Sequence, residues 1–202
     1  MRWDRFFEDL EDQLDSEWEA ERAALDSEAE RLRLARLGLR DRLRSLCTVD
    51  GPQISVELLA GAGVRGRLGA VGADWVGVIA PDERAGVALL PLAAVVSFGM
   101  PQPDLLRSAR ADAATAAPTT LRERMTLGFV LRDVARRRMP VAVQLCDGRT
   151  LTGTIDRALA DHLDLALHDG AEPRRAGAVS GMRMIPLAAV EAVRLERMYF
   201  DV

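Results

Sequence analysis

The pentapeptide Pro-Leu-Ala-Ala-Val occurs twice in this chain, at Pro91–Val95 and at Pro186–Val190, each time near the end of an apolar run. In a chain rich in Ala, Leu and Val, five residues can recur by chance. The upstream sequence argues otherwise. A displacement of 87 positions overlays Val56 on Val143, Leu58 on Leu145, Gly61 on Gly148, Gly66 on Gly153, Leu68 on Ile155, Asp74 on Asp161 and Val78 on Leu165. From residue 56 to residue 80 no gap is needed. At the pentapeptide the displacement is 95, so the second copy carries eight extra residues. They fall in "HDGAEPRRAGAVSGM", a loop in which an insertion costs little. The repeat is an internal duplication.

Inside each copy the apolar period is two, which predicts strands. In "ISVELLAG" and "VRGRLGAV", Val56, Leu58, Val64, Leu68 and Ala70 share one face, while Glu57, Arg65 and Arg67 share the other. "ADWVGVIA" and "GVALLPLAAVVSF" follow, giving four or five short strands joined by Gly, Ala-Asp and Pro-Asp turns. Residues 100–118 mix Pro, Ala and Thr and read as a linker. Thr120-x-x-Glu123 is a capping box for a helix to about Arg138, with Leu127, Val130, Leu131 and Val134 on its apolar face. Pro140 closes it, and the second set of strands begins at Val141.

Residues 4–46 read as helix, with Gly38 the only Gly and no Pro. Trp18, Leu25, Leu32, Leu39 and Leu46 fall seven apart, a coiled-coil-like pattern that Arg36 interrupts. Trp3, Phe6, Phe7, Leu10 and Leu14 extend an apolar face toward the N-terminus, and a break is expected near Asp26–Ser27. Residues 1–30 carry a balance of −9 and residues 31–46 one of +5, so charge runs the way the helix dipole favours. Two roles are open for this helix: a solvated helix docked on its own domain, or one that self-associates or grips a partner.

The remainder of the chain is neutral, although all 27 basic residues are Arg. A neutral globular part is no general beacon for nucleic acid, whose binding rests on clustered positive charge. Cys47 and Cys146 form no motif, which suits a reduced, cytoplasmic chain. No apolar run reaches the ~18–20 residues of a membrane span, and "MRWDRFFEDL" lacks a signal core.

Catalytic chemistry finds little support. His162 and His168 are six apart on one expected strand, roughly 20 Å by strand rise, too far to share an ion. Ser55, Ser97 and Ser180 have no His in a recognisable motif, and the Gly61–Gly63 stretch is a hairpin turn rather than a phosphate loop. The expectation is a non-enzymatic protein with no cofactor and no metal. Three Arg clusters remain, Arg31–Arg44, Arg136–Arg138 and Arg174–Arg175. The first two close helices, where Arg complements the dipole; alternatively they form a phosphate-contacting rim with Arg65 and Arg67.

The order apolar-x-apolar-x-x-Gly, apolar-x-Gly-x-apolar, Asp, then a strand ending at Pro resembles the Sm-like family of Sm, LSm and Hfq proteins. The matching residues are Val56, Leu58, Gly61, Val64, Gly66, Leu68 and Asp74, and Val143, Leu145, Gly148, Leu151, Gly153, Ile155 and Asp161. The resemblance covers about residues 54–98 and 141–195. It implies five-stranded barrels with edge strands four and five that pair with neighbours, and single-stranded RNA as ligand. The central Gly fits a strand too crowded at its bend for a side chain. This sequence departs from the family at its RNA loops: the first lacks Asn, and "LPLA" and "IPLA" carry no basic residue. Trp75 and His162 occupy equivalent, outward-facing positions where they could stack bases; alternatively Trp75 packs on a helix or on the other barrel.

The expected architecture is α+β: a helical region over 1–50, a barrel over 51–99, a linker over 100–118, and a helix plus second barrel over 119–202. Two functions are expected. One is an RNA-associated assembly protein using Arg65, Arg67, Trp75, Arg136, Arg137, Arg138, His162, Arg174 and Arg175. The other is an adaptor gripping a protein through Trp3, Phe6, Phe7, Leu10, Leu14 and Trp18. Either way the chain is expected to form homo-oligomers and to avoid membranes.

Overall fold

A computed structural model describes residues 2–81, 86–110, 121–168 and 179–195. Residues 1–39 form one compact unit and residues 40–202 another.

In the first unit, α1 runs unbroken from Arg2 to Arg36. The expected break at Asp26–Ser27 is absent. Neither residue removes a backbone donor, and the pairs Glu28–Arg31 and Glu30–Arg33 support the turns that follow. The interruption falls at Leu37–Gly38 instead, where Gly costs a helix interior about 1 kcal/mol. The coiled coil is corrected by the same observation. Leu39 and Leu46 belong to a separate helix, α2 (Leu39–Leu46), and Leu14, Trp18, Leu25 and Leu32 lie exposed on α1 rather than in a seam.

Among the described residues the second unit holds ten strands: β1 (Gln53–Leu58), β2 (Gly63–Val71), β3 (Trp75–Ile79), β4 (Val87–Pro91), β5 (Val95–Gly99), β6 (Pro140–Leu145), β7 (Thr150–Ala158), β8 (His162–Leu167), β9 (Gly181–Pro186) and β10 (Val190–Leu195). The alternation read from β1 and β2 is observed: Val56, Leu58, Val64 and Leu68 are buried, and Glu57 and Arg65 are exposed.

Two closed five-stranded barrels do not form. All ten strands belong to one open antiparallel sheet, in the order β5-β1-β2-β3-β4-β10-β6-β7-β8-β9. The reason is the pairing of β4. Its free edge does not return to β5 but takes β10 from the other repeat, with Val193 opposite Leu89, Arg194 opposite Ala88 and Leu195 opposite Val87. Both repeats keep one internal strand order, and the junction fuses them.

The cores interlock across that junction. Trp75 and Leu89 from the first repeat pack with Leu131, Val143, Ile155 and Leu165 of the second. Ala192 from the second packs with Leu43, Leu46, Val56 and Leu90. The pentapeptide takes one form in both copies. Pro91 and Pro186 end a strand at φ −58°, ψ 133° and φ −59°, ψ 137°. Leu-Ala-Ala makes a 3-10 turn, and Val opens the next strand.

Between the repeats, residues 102–107 of the expected linker form a helix, α3 (Gln102–Arg107). The buried Ser108 hydroxyl accepts from Nε and Nη2 of Arg42 at 3.1 and 2.9 Å, which pins this segment to α2. The capping-box residue Thr120 lies outside the described residues. The helix expected from there comes in two pieces, α4 (Leu121–Arg124) and α5 (Leu127–Arg136). Thr126 caps α5, its hydroxyl accepting from the Phe129 N–H.

Gly66 and Gly153 sit where the sequence demands Gly. A Cβ there would come within 2.1 Å of the Ile79 carbonyl oxygen and 2.0 Å of the Ala166 carbonyl oxygen. The crowding comes from the adjacent strand of the sheet. Gly66→Ala and Gly153→Ala should each lose at least ~2 kcal/mol of stability in urea unfolding. Gly63→Ala, whose Cβ would find its nearest neighbour 3.9 Å away, should change little.

Candidate functional site

The β2–β3 turn carries Asp74 and Trp75, the first of the pairs singled out from sequence. Asp74 Oδ1 accepts from the Leu127 N–H at 2.7 Å, so this carboxylate satisfies an orphan donor in the first turn of α5. Trp75 is not turned to solvent. It is 4% exposed, and its indole Nε1–H donates to the Met125 carbonyl at 3.0 Å. The Ala73 N–H donates to that same carbonyl at 2.9 Å. These three bonds fasten the helix of the second repeat to a turn of the first. Trp75 fits because position 72 is Gly; a Cβ there would lie 2.0 Å from the indole nitrogen. Base stacking is closed to this ring.

The equivalent turn of the second repeat is open. Asp161 is exposed, and its carboxylate accepts from or pairs with His162 Nδ1 at 2.7 Å, which holds the Asp161 carboxyl below the usual range. Where the first repeat has Gly72 and Trp75, the second has Leu159 and His162. In both turns the Asp carbonyl accepts from the Leu of the pentapeptide: Leu92 N–H to Asp74 at 2.8 Å, Leu187 N–H to Asp161 at 2.7 Å.

The Arg residues do not converge on one surface site. Arg136 pairs with Asp133, and Arg137 reaches the same carboxylate at 2.7 Å. Burial pushes the Asp133 carboxyl up, but the hydrogen bonds from Arg136 and Arg137 outweigh it and hold it below its ordinary value. Arg138 bonds Asp156 at 2.9 Å. Arg67 donates to the Val49 carbonyl. Arg65 is exposed beside a shallow groove of about 460 Å³ that also takes in Gln53, Pro81, Gly99 and Met100. Arg174 and Arg175 lie outside the described residues. A second open groove, about 490 Å³, runs along α5 beside Phe129, Arg132 and Arg136.

Two buried polar groups stand apart from these surfaces; the sequence raises His168 only as a metal ligand and does not single out Glu191. His168 is buried, with Nε2 2.7 Å from Thr154 Oγ1. Glu191 is 1% exposed; its Oε1 accepts from the Ala60 N–H at 2.6 Å and its Oε2 from Gln144 Nε2 at 3.3 Å. Ala60 and Gln144 belong to different repeats, so this carboxylate ties the junction. Nothing in the pattern of β10 marked it, because a Glu inside an alternating strand reads as solvent-facing.

On α1, Trp3, Phe6, Phe7 and Leu10 lie within the helix, but their side chains fall outside the described part. Leu14, Trp18, Leu25 and Leu32 are exposed, Trp18 by 68%. Among the described residues, no group of three or more His, Cys, Asp or Glu could hold a metal ion, and no helix is long and apolar enough to cross a membrane. No family model, curated protein or solved structure matches the chain.

Trp75→Ala should cost about 3–5 kcal/mol, the usual range for emptying a buried aromatic site. Trp75→Phe should cost less, since it keeps a ring and loses the bond to Met125. Urea unfolding of both variants measures the difference.

Proposed function

We propose that the chain is a non-catalytic adaptor whose fused sheet is a scaffold and whose α1 binds a partner protein. The observation that carries this reading is the stripe Leu14, Trp18, Leu25 and Leu32, exposed along a helix in a region whose residues 1–30 hold a charge of −9. An amphipathic acidic helix suits an apolar groove with a basic rim, in which large side chains at helical spacing supply the anchors. Electrostatic complementarity would speed the encounter. The duplicated pattern of Val56, Leu58, Gly61, Gly66 and Asp74 and of Val143, Leu145, Gly148, Gly153 and Asp161 is what supports kinship with the Sm-like family. The RNA reading has less behind it, since Trp75 is buried and Arg136, Arg137 and Arg138 are paired with carboxylates.

A photo-crosslinking residue at position 18 or 25 of the full chain tests the adaptor. The expected result is one protein captured from both positions and not from Val49, which is more exposed than either, with capture lost in Leu25→Asp at unchanged helix content. Capture equal at position 49, or none at either α1 position, would sink it. Binding to single-stranded RNA at low salt, weakened by Arg65→Ala, would favour the RNA reading instead. A truncation used in such work should end at residue 36 rather than 46, because Leu43 and Leu46 are core residues.

A further inference from the structure

The core side of α5 is fully used: Leu127, Leu131 and Val134 are buried. Phe129 lies on another face and is 49% exposed. It stands in the open groove of about 490 Å³ with Met125, Val130, Arg132, Asp133 and Arg136. Along that groove Met125, Phe129, Arg132 and Arg136 follow one another at intervals of four, three and four residues, the spacing of one helix face. The groove therefore has an apolar end and a basic end.

The segment that builds it is strongly basic. Residues 121–138 hold six Arg against Glu123 and Asp133, a balance of +4. Glu123 is taken by Arg44, and Asp133 by Arg136 and Arg137. Among the described residues Arg132 has no ion-pair partner. Exposed Arg alone would make an ordinary solvated face. An exposed Phe set between half-buried apolar residues and Arg is the composition of a surface that receives an amphipathic helix.

The chain itself makes such a helix. On α1, Leu14, Trp18, Glu21 and Leu25 repeat the same intervals of four, three and four, and all four are exposed. Glu21, like Arg132, has no ion-pair partner among the described residues. The charge balance of −9 over residues 1–30 meets the +4 of residues 121–138. Laid in the same direction, the two rows match place by place: Leu14 with Met125, Trp18 with Phe129, Glu21 with Arg132, and Leu25 with the aliphatic stem of Arg136. In the opposite direction the Glu21 carboxylate would fall on the Phe129 ring, whose face is itself negative.

We infer that the groove beside α5 receives α1 of a second copy of this chain, laid parallel to α5 with Trp18 on Phe129 and Glu21 beside Arg132. The inference rests on the reading of α1 as a partner-binding helix and names the partner. The contact uses helix faces only and requires no strand edge. Its charge component is screened by salt, so the association weakens as ionic strength rises.

A benzophenone amino acid at position 129 of the purified full-length chain tests this, in an equal mixture of isotopically labelled and unlabelled chains. The expected product joins residue 129 of one isotope to residues 14–25 of the other. Sedimentation at micromolar concentrations should show association that falls with added salt. Arg132→Glu and Glu21→Arg should each weaken it by about tenfold, and the two together should restore most of it, because the charges exchange places. Both residues are exposed, and circular dichroism with urea unfolding checks that the fold survives. A wild type that stays monomeric, a link confined to one chain, single-stranded RNA rather than protein linked at 129, or a double variant as weak as either single one would each overturn the inference. The adaptor reading survives that outcome where positions 18 and 25 still capture another protein, and falls with it where they capture nothing.

Discussion

The antiparallel ladder between β4 and β10 is the constraint on which the rest of the second unit depends. It turns two short, duplicated sheets into one sheet of ten strands. An isolated five-stranded piece would leave β4 with unpaired backbone groups and Leu89 without cover. Pairing removes both liabilities together. It also brings Trp75 over α5 and Ala192 beside Leu90, so neither core is complete without the other repeat. Glu191 belongs to the same logic: a buried carboxylate is tolerable only when its oxygens are bonded, and its two donors come from opposite sides of the junction.

Duplication supplied two equal halves, and the differences between the halves then follow from position. The first repeat has Gly72 and Trp75 where the second has Leu159 and His162, and the first turn has α5 fastened to it. Glu191 of β10 is buried where Val96 of β5 is exposed. Such differences are not visible as departures from a strand or helix pattern, because each residue is locally acceptable in either place. They make sense once one copy of each surface is known to be covered.

What was legible in the residues was mostly local. The period of two placed the strands, the Gly at 66 and 153 marked the crowded crossings, and the 87-residue displacement aligned them. The apolar residues of α5 were read correctly, and so was the alternation of Val56, Leu58, Val64 and Leu68. Less legible were features set by distant partners. The helix break moved from Asp26 to Gly38, because local pairs held the former and Gly released the latter. For Trp75 the sequence left base stacking and packing on a helix both open, and only the helix some 50 residues later, which covers the ring, decided for packing. The pairs of Asp133 with Arg136 and Arg137 lie at helical spacing and were open to the sequence, whereas Asp156, on another element, had no reason in sequence to be assigned to Arg138.

The pentapeptide shows where the division lies. By itself the sequence determined that Pro91–Val95 and Pro186–Val190 are one turn made twice, since Pro fixes φ and the same residues adopt the same dihedrals in both places. It determined the strands on either side and the side chains each turns inward. Only the tertiary structure decided what those strands pair with. A ladder is made of backbone groups that every residue carries, so its partners are chosen by which edges meet in space, and no period in the chain records that choice. Closed barrels and an open sheet use the same five strands, and the difference is the destination of one edge of β4.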